Sequence, residues 1–212
     1  MQRFIYALRR TSTLLAVVAL TLTLMAALTG VLLAFYYQPT AGGAYESVKT
    51  LTTQVSYGWL IRTIHNLAGN LLIIVALIQM VVMFLSERFR LTWLTAWISG
   101  IFLILVAIGL DWTAMILNWS QLGFWRFRLE LGTIEAIPLI GSYLRQILTG
   151  GDSISTVTVS HLYTLHSYVL SVAAVSLSVI HLVGLLFQER ELKVVDAADL
   201  SPEALTDSNA AA

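Results

Sequence analysis

Long apolar runs separated by short polar stretches dominate the chain. Uncharged or nearly uncharged segments fall at about 12–36, 63–86, 91–117 and 162–187, each long enough to cross a hydrocarbon core that needs roughly 20 helical residues. They predict four membrane-spanning helices. The connection after the first run, about 38–57, contains Pro39, Gly42 and Gly43 and then AYESVKTLTTQV, whose apolar residues recur at helical spacing and predict a short helix lying in the interface. The connection after the third run, 118–160, carries Trp119, Trp125, Gly132, Pro138, Gly141, Gly150 and Gly151. A connection this long usually serves function or covers a partner. The expected fold class is therefore all-α, a transmembrane four-helix bundle over residues 1–189 with short interfacial helices in the two outer loops. From 190 the chain turns small and acidic, and 190–212 is expected to be a disordered tail.

Composition narrows the functional classes. Of 212 residues, 58% are hydrophobic and 11% charged, which places the chain in the membrane range. The first run follows Arg3, Arg9 and Arg10 like a secretory signal, but it is too long and has no convincing small-residue cleavage site, so a retained helix is expected. A formal net charge of zero lacks the electrostatic footprint of a nucleic-acid binder. The sequence has no cysteine, which removes disulfides, iron–sulfur ligation and thioether-attached haem. Arg3, Arg9 and Arg10, then Arg88 and Arg90, then Arg190 and Lys193 fall on one side if the spans alternate, and that side is expected to be cytoplasmic with both termini. Trp59, Trp112, Trp119 and Trp125 gather toward the opposite boundary, where an aromatic belt accounts for most of them. No repeat of solenoid period is evident.

The chemistry is concentrated in four histidines, His65, His161, His166 and His181. An ionisable side chain at membrane depth is costly enough to suggest function when a partner can be named. His65 lies near the outer end of the second span and His166 near the outer end of the fourth, so the two can be level and clamp a haem iron from its two sides. His181 is 15 residues beyond His166 (181 − 166), roughly 22 Å along the axis and turned by only about 60°. The position facing it on the second span, 14 residues beyond His65 (65 + 14), is Gln79. The outer level thus offers two imidazoles; the inner offers one imidazole and an amide. Buried, hydrogen-bonded core histidines are the alternative, and a zinc site is disfavoured because no third or fourth suitable ligand shares the depth. His161, about 140° around from His166, is expected to face the outer surface or a partner.

At these residues the chain resembles the cytochrome b family, in its amino-terminal four-helix haem-binding subunit of the short split form found in cytochrome bc/bf-type quinol oxidoreductases. FYYQPT at 35–40, AYESV at 44–48, GWLIRTIH at 58–65, NWSQLGFW at 118–125, EAIPLIG at 135–141 and HLYTLHSYVL at 161–170 resemble family motifs in family order. The resemblance implies that His65 and His166 are axial ligands of an outer haem b, that Arg62 neutralises its propionates, and that His181 ligates a second, inner haem. It marks Gly30 and Gly100 as cofactor-binding positions, glycine at Gly30 letting the porphyrin approach the backbone. It also implies quinone or quinol as substrate. The implied partners are a subunit IV-like carboxy-terminal half of cytochrome b, a Rieske iron–sulfur protein and a c-type cytochrome, in a homodimeric complex of the bacterial inner or thylakoid membrane.

The departures from the family pattern are specific. Gln79 stands where the family has the second inner histidine, Val82 where it has an arginine, and Ala16 where it has a glycine. At the outer level Ala114 replaces a glycine, Asp111 a small residue, and Asn118 and Ser120 the proline and aspartate of a PWDQ-like turn. A carboxamide is a poor iron ligand, so the inner haem is expected to be weakly held or missing, with Gln79 bonding to a neighbouring helix in preference to iron. Asp111 is a candidate to accept a proton from quinol or to pair with Arg62; a wet interfacial carboxylate is the plainer reading. Glu135 lies in the loop that borders the quinol-oxidation pocket in the family. The expected function is an electron-carrying b-type cytochrome subunit, the alternative a haem-poor structural or assembly subunit. A transporter is remote, since neither broken helices nor a repeated half is visible.

Overall fold

The computed structural model describes residues 2–86 and 94–199, the last eight of these and the first two by backbone alone. The Arg88 and Arg90 connection and residues 200–212 therefore lie outside the described residues. Among the described residues the chain is all helix: α1 (Gln2–Ala34), α2 (Ala44–Thr53), α3 (Gly58–Leu85), α4 (Leu94–Leu117), α5 (Gln121–Glu135), α6 (Gly141–Thr149), α7 (Thr156–Thr164) and α8 (Ser171–Asp199), with a π-helical segment, Leu165–Leu170, fusing α7 to α8. Four stretches are long and apolar enough to span a membrane: Phe4–Ala34, Gly58–Leu85, Leu94–Leu117 and Thr156–Glu191. The four predicted spans are present.

Some of their ends extend past the apolar runs. α1 includes Arg9 and Arg10 ahead of the run, and α8 continues to Asp199, ten residues into the segment expected as a tail. The sequence ELKVVDAAD is no longer greasy but is rich in good helix formers, so the helix continues after the reason for burial has ended. The interfacial helices take the predicted places: α2 follows Gly43, while α5 and α6 occupy the long third connection. Ser120 caps α5 by accepting from the Gly123 amide, and Ser155 with Thr158 forms a capping box at α7.

The spans assemble as a bundle in which α1 lies against α3 and α8, and α4 against α8 and α3. Small residues make close approach possible. Ala16, Ala19, Ala68, Ala76, Ala96 and Ala107 are all buried, the packing mode expected where lipid removes the hydrophobic drive between helices. Large apolar side chains such as Leu28, Val31, Ile74 and Leu105 point outward. The end carrying α2, α5 and α6 is called the outer end here. There Phe127, Leu131, Ile116, Val159 and Leu162 form a core that fastens the loop helices to the bundle. At the other, inner end Ala16, Met83, Ala96 and Leu185 form a second core.

Candidate functional site

Two turns into α3, His65 faces His166 of the π-helical segment across the bundle. Their ring centroids are 6.3 Å apart and the rings are tilted by 57°. The Nδ1 of His65 donates to the Ala26 carbonyl at 2.9 Å and lies 3.2 Å from Thr29 Oγ1. That of His166 is 2.8 Å from Thr113 Oγ1, and because the Thr113 hydroxyl donates to the Gly109 carbonyl, its lone pair accepts from the ring. A carbonyl can only accept, so each Nδ1 carries the proton and each Nε2 keeps its lone pair. Among the described residues neither Nε2 has a hydrogen-bond partner. This is the tautomer that metal-ligating histidine adopts, with the second nitrogen fixed by an outer acceptor.

The gap has the right width for one metal atom. Two imidazole–metal bonds of roughly 2.0 Å, plus about 1.1 Å from each nitrogen to its ring centre, require about 6 Å between centroids. Among the described residues no third His, Asp or Glu joins the pair. A metal held here must bring its own remaining ligands, as a porphyrin does. Both rings are half-buried, so surface remains between the helices at this level. A Cβ at Gly30 would lie 3.1 Å from His65 Cε1, so glycine admits the imidazole itself to the wall of α1. The outer level fits a haem.

The inner level is built differently. Gln79 Nε2 lies 2.7 Å from His181 Nε2, whereas two atoms gripping one iron stand about 4 Å apart, twice a metal–nitrogen bond. His181 Nδ1 donates to the Ala96 carbonyl at 2.8 Å, and Gln79 Nε2 also donates to the Ser12 carbonyl at 3.3 Å. Both side chains are 2% exposed. A Cβ on Gly100 would stand 2.8 Å from His181 Cε1 and 3.1 Å from Met80 Sδ, so the space beside that glycine is taken by the histidine ring and a thioether. In this arrangement the inner level does not fit a haem held between residues 79 and 181.

A sequence profile of the family described as Cytochrome b/b6/petB matches residues 8–189. The chain belongs to the cytochrome b/b6 family. A Cytochrome b6 of Synechococcus elongatus is 33% identical over 153 residues, 72% of this chain and 71% of that one. A Cytochrome b6 of Prochlorococcus marinus is 33% identical over 142 residues, 67% of this chain and 65% of that one. A solved chain of a hyperthermophilic respiratory Complex III shares the fold with a TM-score of 0.72 at 22% identity, covering 82% of this chain and 47% of that chain. The cytochrome b/b6 chain thus spans about half the length of this structural neighbour. Membership implies haem b binding and makes the chain a b-type cytochrome subunit of the bc/b6f kind.

The remaining candidate residues divide. Arg62 Nη1 donates to Thr52 Oγ1 at 3.1 Å and Nη2 to Asn118 Oδ1 at 3.0 Å, tying α3 to α2 and to the turn before α5. The suggested Arg62–Asp111 pair is not formed. Asp111 sits on the exposed face of α4, in line with Ile101, Leu105 and Ile108, while the guanidinium is engaged elsewhere. Glu135 Oε2 is 3.5 Å from Arg145 Nε, an ion pair between α5 and α6. In the same EAIPLIG segment Leu139 is 93% exposed with φ 72°, a left-handed backbone that a branched residue rarely adopts. His161 is exposed and lies over Gly150.

Sequence reasoning missed the residues that aim the two imidazoles. Thr29 and Thr113 are ordinary helix threonines by pattern, each bonding a carbonyl one turn back, and nothing in their spacing marks the lone pair offered to a histidine. The π-helical segment was equally hidden. Such segments often coincide with functional sites, and this one carries His166.

Proposed function

We propose that this cytochrome b/b6 chain carries single electrons between a membrane quinone pool and a partner redox protein, through one haem b held axially by His65 and His166 at the outer end. The observation that carries the reading is the 6.3 Å separation of two inward-facing imidazoles whose Nδ1 atoms are tied and whose Nε2 atoms are free for metal. Haem bound there supplies a one-electron couple. The chain's own residues fix the tautomers through Ala26, Thr29 and Thr113, and Arg62 supplies a positive charge one turn from His65.

The same reading assigns the chain to a quinol oxidoreductase of the cytochrome bc/b6f type, assembled with a subunit IV-like half of cytochrome b, a Rieske iron–sulfur protein and a c-type cytochrome in a homodimeric complex. The supporting features are family membership and the outer loop helices α5 and α6, which with the turn between them leave Leu122, Leu129, Ile137, Leu139, Tyr143 and Ile147 uncovered by this chain. Of the two carboxylates considered for proton exchange with quinol, Asp111 is the freer, since Glu135 faces Arg145. The positive bias of Arg3, Arg9 and Arg10 assigns the inner end to the cytoplasmic side.

Reduced-minus-oxidised absorbance and haem stoichiometry of the purified full chain test the proposal. We expect a b-type alpha band that disappears, with the protein still folded, in both His65→Ala and His166→Ala. A colourless wild-type chain that assembles stably would instead identify a scaffold subunit.

A further inference from the structure

The ring and amide nitrogens of the inner pair all have protein partners. His181 Nδ1 donates to the Ala96 carbonyl of α4, so its Nε2 holds a lone pair, and that lone pair takes one N–H of the Gln79 amide. The amide's nitrogen also reaches the Ser12 carbonyl of α1. One connected group of atoms therefore joins α1, α3, α4 and α8, all four spanning elements, at a single level. Both nitrogens of the imidazole and the amide nitrogen are satisfied by protein groups. A site that had merely lost a ligand would leave His181 Nε2 or the amide unpaired in an apolar interior, which costs the desolvation of each group. Packing agrees with bonding. Gly100 is filled by the His181 ring and Met80, and the neighbouring core of Ala16, Met83, Ala96 and Leu185 is closed to solvent. The outer histidines differ in both respects: they stand apart and keep exposed surface.

We infer that Gln79 and His181 form a haem-free clamp that holds the four helices together where a second haem would otherwise sit, so that this chain carries a single haem and electrons enter and leave at its outer end. The clamp stands on the inner geometry alone; the count of one rests in addition on the outer-haem reading above. With no inner centre to step to, an electron on the outer haem is not carried across the membrane by this chain.

The test uses the full chain purified in detergent and reads haem content, redox titration and thermal midpoint. Wild type is expected to hold one haem per chain and to titrate as a single one-electron wave. His181→Leu and Gln79→Met are each expected to keep that haem and its spectrum unchanged while lowering the thermal midpoint, and the double variant to lower it by less than the sum, as bonded partners do. Two haems in wild type, loss of half the haem in His181→Leu, or strictly additive midpoint shifts would each overturn the clamp. The double variant His65→Ala/His166→Ala separates the two readings. It is expected to be haem-free with the clamp's stability coupling intact, whereas any haem retained there must sit at the inner level and overturns the inference. A wild type free of haem but showing the coupling would sink the electron-carrier reading and leave the clamp standing.

Discussion

At the scale of single residues, the rare ones were legible and the common ones were not. Four histidines in a chain of long apolar runs stand out because each is expensive to bury, and spacing alone sets two of them level. Gln79 could be found by counting along the helix, yet the bond it makes could not, since that depends on an Nδ1 proton directed at a carbonyl of α4. Thr113 shows the same limit. Helical threonines routinely bond back to the preceding turn, and it is the packing of α4 against the π-helical segment that brings the spare lone pair of this one to His166 at 2.8 Å. A positioning role for Thr113 has a measurable signature. An acceptor on Nδ1 enriches the imidazole in electron density and favours the oxidised metal. Thr113→Val should therefore raise the midpoint potential of the proposed outer haem, by up to about 40 mV, the one-electron equivalent of a net hydrogen bond of about 1 kcal/mol. Potentiometric titration of the alpha band reads it. A lowered or unmoved potential would remove Thr113 from the site.

At the scale of elements, the existence of each span was written in its hydropathy, whereas its ends were not. The helix of α8 outlasts the apolar run because helix propensity and membrane solubility are separate properties, and residues 190–199 have the first without the second. The loop helices depended on local chemistry that the sequence displays once the motif is known. Ser120, a departure from the PWDQ-like pattern, is an N-cap for α5, and Asn118 beside it receives Arg62. Together they anchor the outer loop to α3, and the loss of the usual proline and aspartate is offset at this turn. Asn118→Ala should release one arm of a buried-side guanidinium and cost roughly 1.5–3 kcal/mol, the range for a hydrogen bond to a charged group. Hydrogen exchange should show it first in α5 amides, with α1 and α8 unaffected. Uniform loosening of all helices would mean that the turn is not a separate anchoring point.

For the whole molecule, an even number of spans puts both ends of the described chain on the same side, and the arginine pattern proposes which side that is. The apolar runs made the number legible; the direction comes from a bias in a handful of charges. Orientation matters for function because the His65–His166 level lies toward α5 and α6, so the side reached by those loops is the side at which the proposed electron exchange takes place. The absence of cysteine from the sequence makes a direct measurement possible. Ser153→Cys, in the exposed connection between α6 and α7, should react with a membrane-impermeant maleimide in intact spheroplasts. Ser201→Cys should react only in inverted vesicles. Each variant should retain its alpha band, so that labelling reports on folded protein. The opposite pattern would place the two imidazoles on the cytoplasmic side, and the proposed Rieske and c-type cytochrome partners would then have to be sought there.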